Sequence, residues 1–263
     1  MDTNVVSEYL SIPNNYTAFK LAKRHTLHQF ISSSTLLTEV FVTPNMSKVR
    51  SSFRIIHELC SEHLVLKELD LLFKEEISYA ISDIKQNLFL SRKAAQEFLS
   101  QFDAPNNIST RLWLQEYKKT SLKLERKDIR EAGKCPISDP INFETLIRAG
   151  MASSFIRTRI NGLHRAFFNK DLSDNELTRI VQKIQSLPIL KTFALYLLAH
   201  HAYYEIPGKT PQKHGNDVDF RHLLCAANAD IFLTTDPTLR KIIDTAGTRW
   251  PFTTMHPKDL PLS

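Results

Sequence analysis

Two short apolar runs, each feeding a helical pattern, lie near opposite ends of this chain. "HQFISSS" covers His28 to Ser34, and "DIFLTTD" covers Asp230 to Asp236. A sheet containing both must bring the chain ends together and leave the middle as helix. That is the tightest constraint the sequence places on the fold. Each run also ends on hydroxyl residues, the second on a carboxylate. Strand ends in α/β folds are where ligands bind. Asp236 followed by Pro237 reads equally well as a helix N-cap with proline at the first helical position.

The middle is written in helical spacing. "MSKVRSSFRIIHELCSEHL" puts Val49, Phe53, Ile56 and Cys60 on one stripe. "LKELDLLFKEEISYAISDI", "SRKAAQEFLSQF", "FETLIRAGMASSFIRTRI" and "DNELTRIVQKIQ" continue the pattern. After Pro188, "LKTFALYLLAHHAYYE" is apolar nearly all round and reads as a buried helix. "IPGKTPQKHGND" is the clearest loop, "DFRHLLCAANA" is helical, and "DPTLRKIIDTAG" is a helix stopped by Gly247. "RWPFTTMHP" suits a last short strand that Pro251 confines to an edge. With only 6 glycines, an all-β fold is disfavoured. The expected class is α/β, with a small parallel sheet built from residues 1–44 and 206–263. Residues 45–205 then form a large, mostly helical insertion.

Hydrophobic residues make up 42% of the 263, enough for a sizeable core. The net charge of +6 suits a polyanionic partner. That excess lies in the helical middle, where Arg148, Arg157, Arg159 and Arg165 follow one another with no acid between. A solvated helix face is the plain alternative for such a run. Cys60, Cys135 and Cys225 are widely spaced, which fits reduced thiols in a cytoplasmic protein rather than a disulfide framework or zinc motif. Neither a membrane span nor an export signal is expected.

The acids near the chain ends share a local setting. Asp2 opens "DTNVVSEYL", Glu39 lies one turn into the helix after the first run, Asp219 starts "DFRHLLCAA", and Asp236 ends "DIFLTT". In a parallel sheet these junctions fall along one edge. Four carboxylates gathered there repel one another unless they are protonated or hold cations. Oxygen ligands of this kind suit Mg²⁺ or Mn²⁺. Such ions polarise a phosphoryl oxygen, lower the pKa of an attacking water and stabilise a leaving oxygen.

These stretches resemble the PIN-domain nucleases. "MDTNVVSEYL" is similar to that family's opening, where Asp-x-Asn ends the first strand. "ISSSTLLTEVF" is similar to its second motif, and "DVDFRHLLCAANADIFLTTD" to its third and fourth. By position, the resemblance implies Asp2, Glu39, Asp219 and Asp236 as the catalytic, metal-holding acids. Asn4, Ser34 or Thr35, and Thr234 are implied as supporting polar groups. Asp219 is preferred to Asp217 because it precedes His222 by three residues. The chain departs from the family pattern in having only Met1 before Asp2, and in the long stretch between the second and third motifs.

His222, one turn beyond Asp219, is placed to bond a carboxylate or a phosphate, though a helix histidine satisfied by backbone or solvent reads equally well. His200 and His201 adjoin and cannot share one helix face, and His214 falls in a loop. Trp113, Tyr117, Phe155, Phe167 and Phe168 lie among basic residues, where aromatics serve either as core or as stacking platforms for unpaired bases. The resulting expectation is a metal-dependent nuclease acting on single-stranded RNA, with the arginines of residues 148–165 on the phosphate backbone. An antitoxin is among the protein partners the resemblance implies. The alternative is a PIN-like scaffold that binds nucleic acid or protein without cutting.

Overall fold

The computed structural model describes residues 1–25, 28–43, 45–103, 154–204 and 216–261. Within them the chain is mostly helical, with two small parallel sheets. β1 (Phe30–Ser33) pairs with β2 (Cys60–Leu66), and β3 (Ile231–Leu233) pairs with β4 (Thr253–Met255). A parallel pair needs a crossover, which is normally helical. Here α2 (Ser34–Val42) and α3 (Met46–Leu59) cross between β1 and β2. α10 (Pro237–Ala246) crosses between β3 and β4. Val5, Phe30, Leu36, Val65 and Leu233 share one buried cluster, so both sheets and the first residues contribute to a common core.

The strand Cys60–Leu66 lies inside the segment expected to be helical. Apolar spacing carried the α3 stripe to Cys60, but α3 ends at Leu59 and Cys60 turns to extended backbone at φ −82°, ψ 141°. Part of residues 45–205 therefore pairs with β1 in a sheet. The expected first strand also differs. Residues 1 and 2 form no strand, and the chain is helical from Thr3 into a π-helical turn over Val5–Tyr9. The reason is local: Asp2 Oδ1 accepts the Val5 amide at 2.8 Å and starts a helical turn. The Asp2 amide still donates to the Leu233 carbonyl at 3.1 Å, tying the beginning of the chain to the end of β3.

The helical layer is organised by α8 (Pro188–Tyr204), with α4 (Leu69–Ser82), α6 (Ser154–Phe168) and α7 (Asp174–Lys183) beside it. One side of α8 places Ile189, Leu190, Phe193 and Leu198 against Leu72, Ile77, Ile160 and Ile180. Another places Leu195, Tyr196 and Ala199 with Phe232, Ile242 and Trp250 around β3 and α10. A helix apolar on every face is the kind that ends up between two layers. The remaining helices are α1 (Pro13–Arg24), α5 (Arg92–Asp103) and α9 (Asn216–Ala226). Among the described residues no helix is long and apolar enough to cross a membrane.

Glu76 of α4 is fully buried and caps α8 from outside its own chain segment. Its carboxylate oxygens accept the Ile189 and Leu190 amides at 2.7 and 2.8 Å. These are orphan donors at a helix start, and satisfying them fixes α4 to α8. Burial nevertheless dominates and pushes the carboxyl up to about 7 from 4.5, against the pull of the two amides. The folded protein thus holds this proton more tightly than the unfolded chain. Its contribution to stability is present below pH 4.5 and is lost as pH rises towards about 7. Melting curves between pH 5 and pH 8 should show that loss in the wild type, and Glu76→Gln should flatten it. Identical pH slopes for the two proteins would contradict this.

Candidate functional site

The site is built around Glu39. Ser33 ends β1 and caps α2, its hydroxyl accepting the Leu36 amide at 3.2 Å. The cap of α2 is therefore Ser33, the last residue of the strand, and Ser34 opens the helix. The cap starts α2 in the register that carries Glu39 towards α9. There Glu39 Oε2 lies 2.5 Å from His222 Nε2. The Thr3 hydroxyl donates to the same oxygen and lies 3.2 Å from His222 Nε2. The His222 and Glu39 side chains are only 3% and 13% exposed, so the contact is largely shielded from water.

Thr3 is the residue that sequence reasoning missed. Asn4, expected to support the acids, is exposed and makes no side-chain cap bond. The Asp2 cap starts the helical turn at Thr3, and it is the Thr3 hydroxyl that reaches the Glu39–His222 pair. Only the Asp2 cap, which depends on the local turn, could have signalled this. Next to them, the Thr35 hydroxyl lies 3.6 Å from Cys225 Sγ. Burial pushes the Cys225 thiol up, opposed by bonds from Thr35 and Ser33, so it stays protonated.

The other acids are used differently. Asp236 caps α10: its Oδ1 accepts the Thr238 and Leu239 amides at 2.6 and 2.9 Å, with Pro237 following. The capping reading of that stretch is therefore realised. Gly247, at φ 60°, closes the same helix. Thr234 is completely buried, and its Oγ1 accepts the Asp236 amide at 3.0 Å, folding the turn that presents the carboxylate. Asp2 and Asp236 each commit Oδ1 to backbone amides. Neither makes an Oδ2 hydrogen bond among the described residues. Asp219 lies in α9 one turn before His222, and its side chain falls outside the described residues, as does that of Asp217. Among the described residues no group of three or more His, Cys, Asp or Glu side chains could hold a metal ion. Asp2, Glu39 and Asp236 are thus not gathered into one such group, because two of them are turned onto helix amides.

The basic stretch has structural partners. Arg165 pairs with Asp171 at 2.6 Å, and Arg157 lies 3.9 Å from Asp174 while donating to Thr178 at 3.3 Å. These contacts tie α6 to the start of α7 and to the loop before it. Arg159 is half-buried in the same helix, and Arg148 lies outside the described residues. Phe168 is 39% exposed and stacks on His164 at 4.5 Å. Trp113, Tyr117 and His214, and the side chains of Phe155, Phe167, His200 and His201, lie outside the described residues.

No family model matches the chain, and neither a curated protein nor a solved structure matches it. The turn at Asp236 yields a direct expectation. Thr234→Val removes the acceptor of a partly buried amide and should cost roughly 0.5–1.5 kcal/mol in urea denaturation. Asp236→Asn keeps a good cap and should cost far less, while Asp236→Ala should cost about 1 kcal/mol. Equal costs for the asparagine and alanine variants would show that the cap is not what holds α10.

Proposed function

We propose that the chain is a PIN-like, metal-dependent nuclease of the cytoplasm that hydrolyses phosphodiester bonds in single-stranded RNA. One observation carries this reading. The three-way contact of Thr3, Glu39 and His222 brings the first, second and third family-like motifs to one point. The Asp2–Leu233 bond brings in the fourth. Carboxylate oxygens are the donor type that suits Mg²⁺ or Mn²⁺. Glu39 and Asp219 would hold the ion, and Asp2 and Asp236, which are not gathered with Glu39 among the described residues, would have to move towards it to contribute their Oδ2 oxygens. Such an ion, when bound, activates a water and neutralises charge on the phosphoryl group.

The protein's own residues do the positioning. Ser33 and Thr234 fix the turns from which Glu39 and Asp236 emerge. Thr3 and His222 hold the Glu39 carboxylate in one orientation. The positive charge of residues 45–215 supplies backbone attraction for a polyanion. An antitoxin-like protein is the further partner of this reading. A non-cutting scaffold is favoured by a specific feature, the engagement of Glu39 Oε2 by two donors in the structure.

Incubation of single-stranded RNA and DNA with Mg²⁺ or Mn²⁺ should give chelator-sensitive cleavage, faster on RNA. Glu39→Gln and Asp219→Asn should each lower it by more than about 100-fold, beyond what changes outside the ligand shell cost. RNA binding with no cleavage in any metal would favour the scaffold. Neutralising Arg157 and Arg159 together should flatten the dependence of affinity on salt, by about 0.7 in slope for each phosphate that is no longer neutralised. An unchanged slope would return that helix to a structural role.

A further inference from the structure

We propose that α1 and α3 together form a docking surface for the phosphate backbone of nucleic acid, held by charge without regard to sequence. Neither helix carries any of the four candidate acids, so the inference stands whether or not the chain cuts. The two helices hold six basic residues, Lys20, Lys23, Arg24, Lys48, Arg50 and Arg54, against one acid, Glu58. Six against one is a net charge of +5, nearly the +6 of the whole chain. The charges run across both helices. Lys20 pairs with Glu58, Lys23 donates to the Glu58 carbonyl at 2.7 Å, and Arg54 lies 3.8 Å from the Glu58 carboxylate. One carboxylate thus gathers three cations and balances one of them.

Arg24 stands one turn beyond Lys20, and Arg50 one turn before Arg54. Both are exposed, as is Lys48, and none of the three makes an ion pair among the described residues. Arg157 and Arg165 of α6, by contrast, are matched by Asp174 and Asp171. The segments packed against α3 add the exposed Glu8, and Glu39, which is spent on His222. They also add Glu62 of β2, whose side chain lies outside the described residues. Like charges three or four residues apart weaken a helix, a cost that a bound polyanion relieves. The chemistry favours nucleic acid over a lipid surface. Phe19 of α1 and Val49, Ile55, Ile56 and Leu59 of α3 are buried, so neither apolar face is free to enter a membrane. Leu21 is the one exposed large apolar side chain of the two helices, whereas arginine and lysine are what phosphate oxygens take.

The test measures binding of two single-stranded RNAs of unrelated sequence, in chelator and over a range of salt. The helix variant carries Arg24→Gln, Arg50→Gln and Arg54→Gln together. A control of equal charge carries Lys85→Gln, Lys170→Gln and Lys258→Gln, three exposed lysines outside both helices. The helix variant should bind both RNAs more weakly than the wild type, by the same factor. Its salt slope should flatten by about 2, at roughly 0.7 for each phosphate no longer neutralised. The control should keep most of the wild-type slope, and RNA should raise the melting temperature of the wild type more than that of the helix variant. Equal flattening in the two variants would mean that net charge alone acts, and would overturn the surface. So would a helix variant with an unchanged slope, a wild type that binds neither RNA, or one that binds phosphatidylserine vesicles in place of RNA. Chelator keeps cleavage out of the measurement, so cleavage that persists beside an unchanged slope leaves the nuclease reading standing.

Discussion

The contact between Glu39 and His222 is the interaction on which the arrangement of the chain ends depends. It joins residues 183 positions apart, and with Thr3 it pins α2, α9 and the first helical turn to one another. A carboxylate as shielded as this one is tolerated because donors satisfy it, and removing one donor leaves a costly remainder. Hydrophobic burial alone would allow α2 and α9 to slide along one another, whereas a directional bond of this kind sets their register. Leu36, Leu37 and Val40 of α2, and Leu223 of α9, are all buried.

The two small sheets inherit their placement from that contact. α2 leaves β1 directly through the Ser33 cap, and α9 leads into β3 after a short turn. Fixing the two helices fixes the strands attached to them. Asp2 then bonds Leu233, and the core shared by Val5, Phe30, Val65 and Leu233 closes over both sheets. α8 completes the structure by filling the space between the helical layer and β3, its start held by Glu76.

Much of this was legible in the sequence because it is encoded locally. Asp236 with Pro237, Gly247, the run Phe30–Ser33 and the all-round apolar α8 each announce themselves within a few residues. β2 was not legible, since Cys60 continues the α3 stripe and no glycine or proline marks the break after Leu59. Its strand character comes from pairing with β1, which periodicity within the segment does not report. Thr3 and Glu76 escaped for a related reason: their partners, Glu39 and the amides of Ile189 and Leu190, lie far away in sequence. Of the site, the positions of the acids along the chain were readable. That Asp2 and Asp236 would each turn an oxygen onto a helix start was readable for Asp236 alone, from the proline behind it.

The central claim is that Glu39 and His222 bond across the chain and couple its two ends. A double-mutant cycle on unfolding free energy measures that directly, using Glu39→Gln, His222→Asn and the pair, in chelator to exclude metal. A direct contact should give a coupling energy in the range of about 0.5–3 kcal/mol, with Gln and Asn each costing less in the presence of the other. Additivity of the two single changes within about 0.3–0.5 kcal/mol would mean that the two side chains do not meet, and would contradict the account.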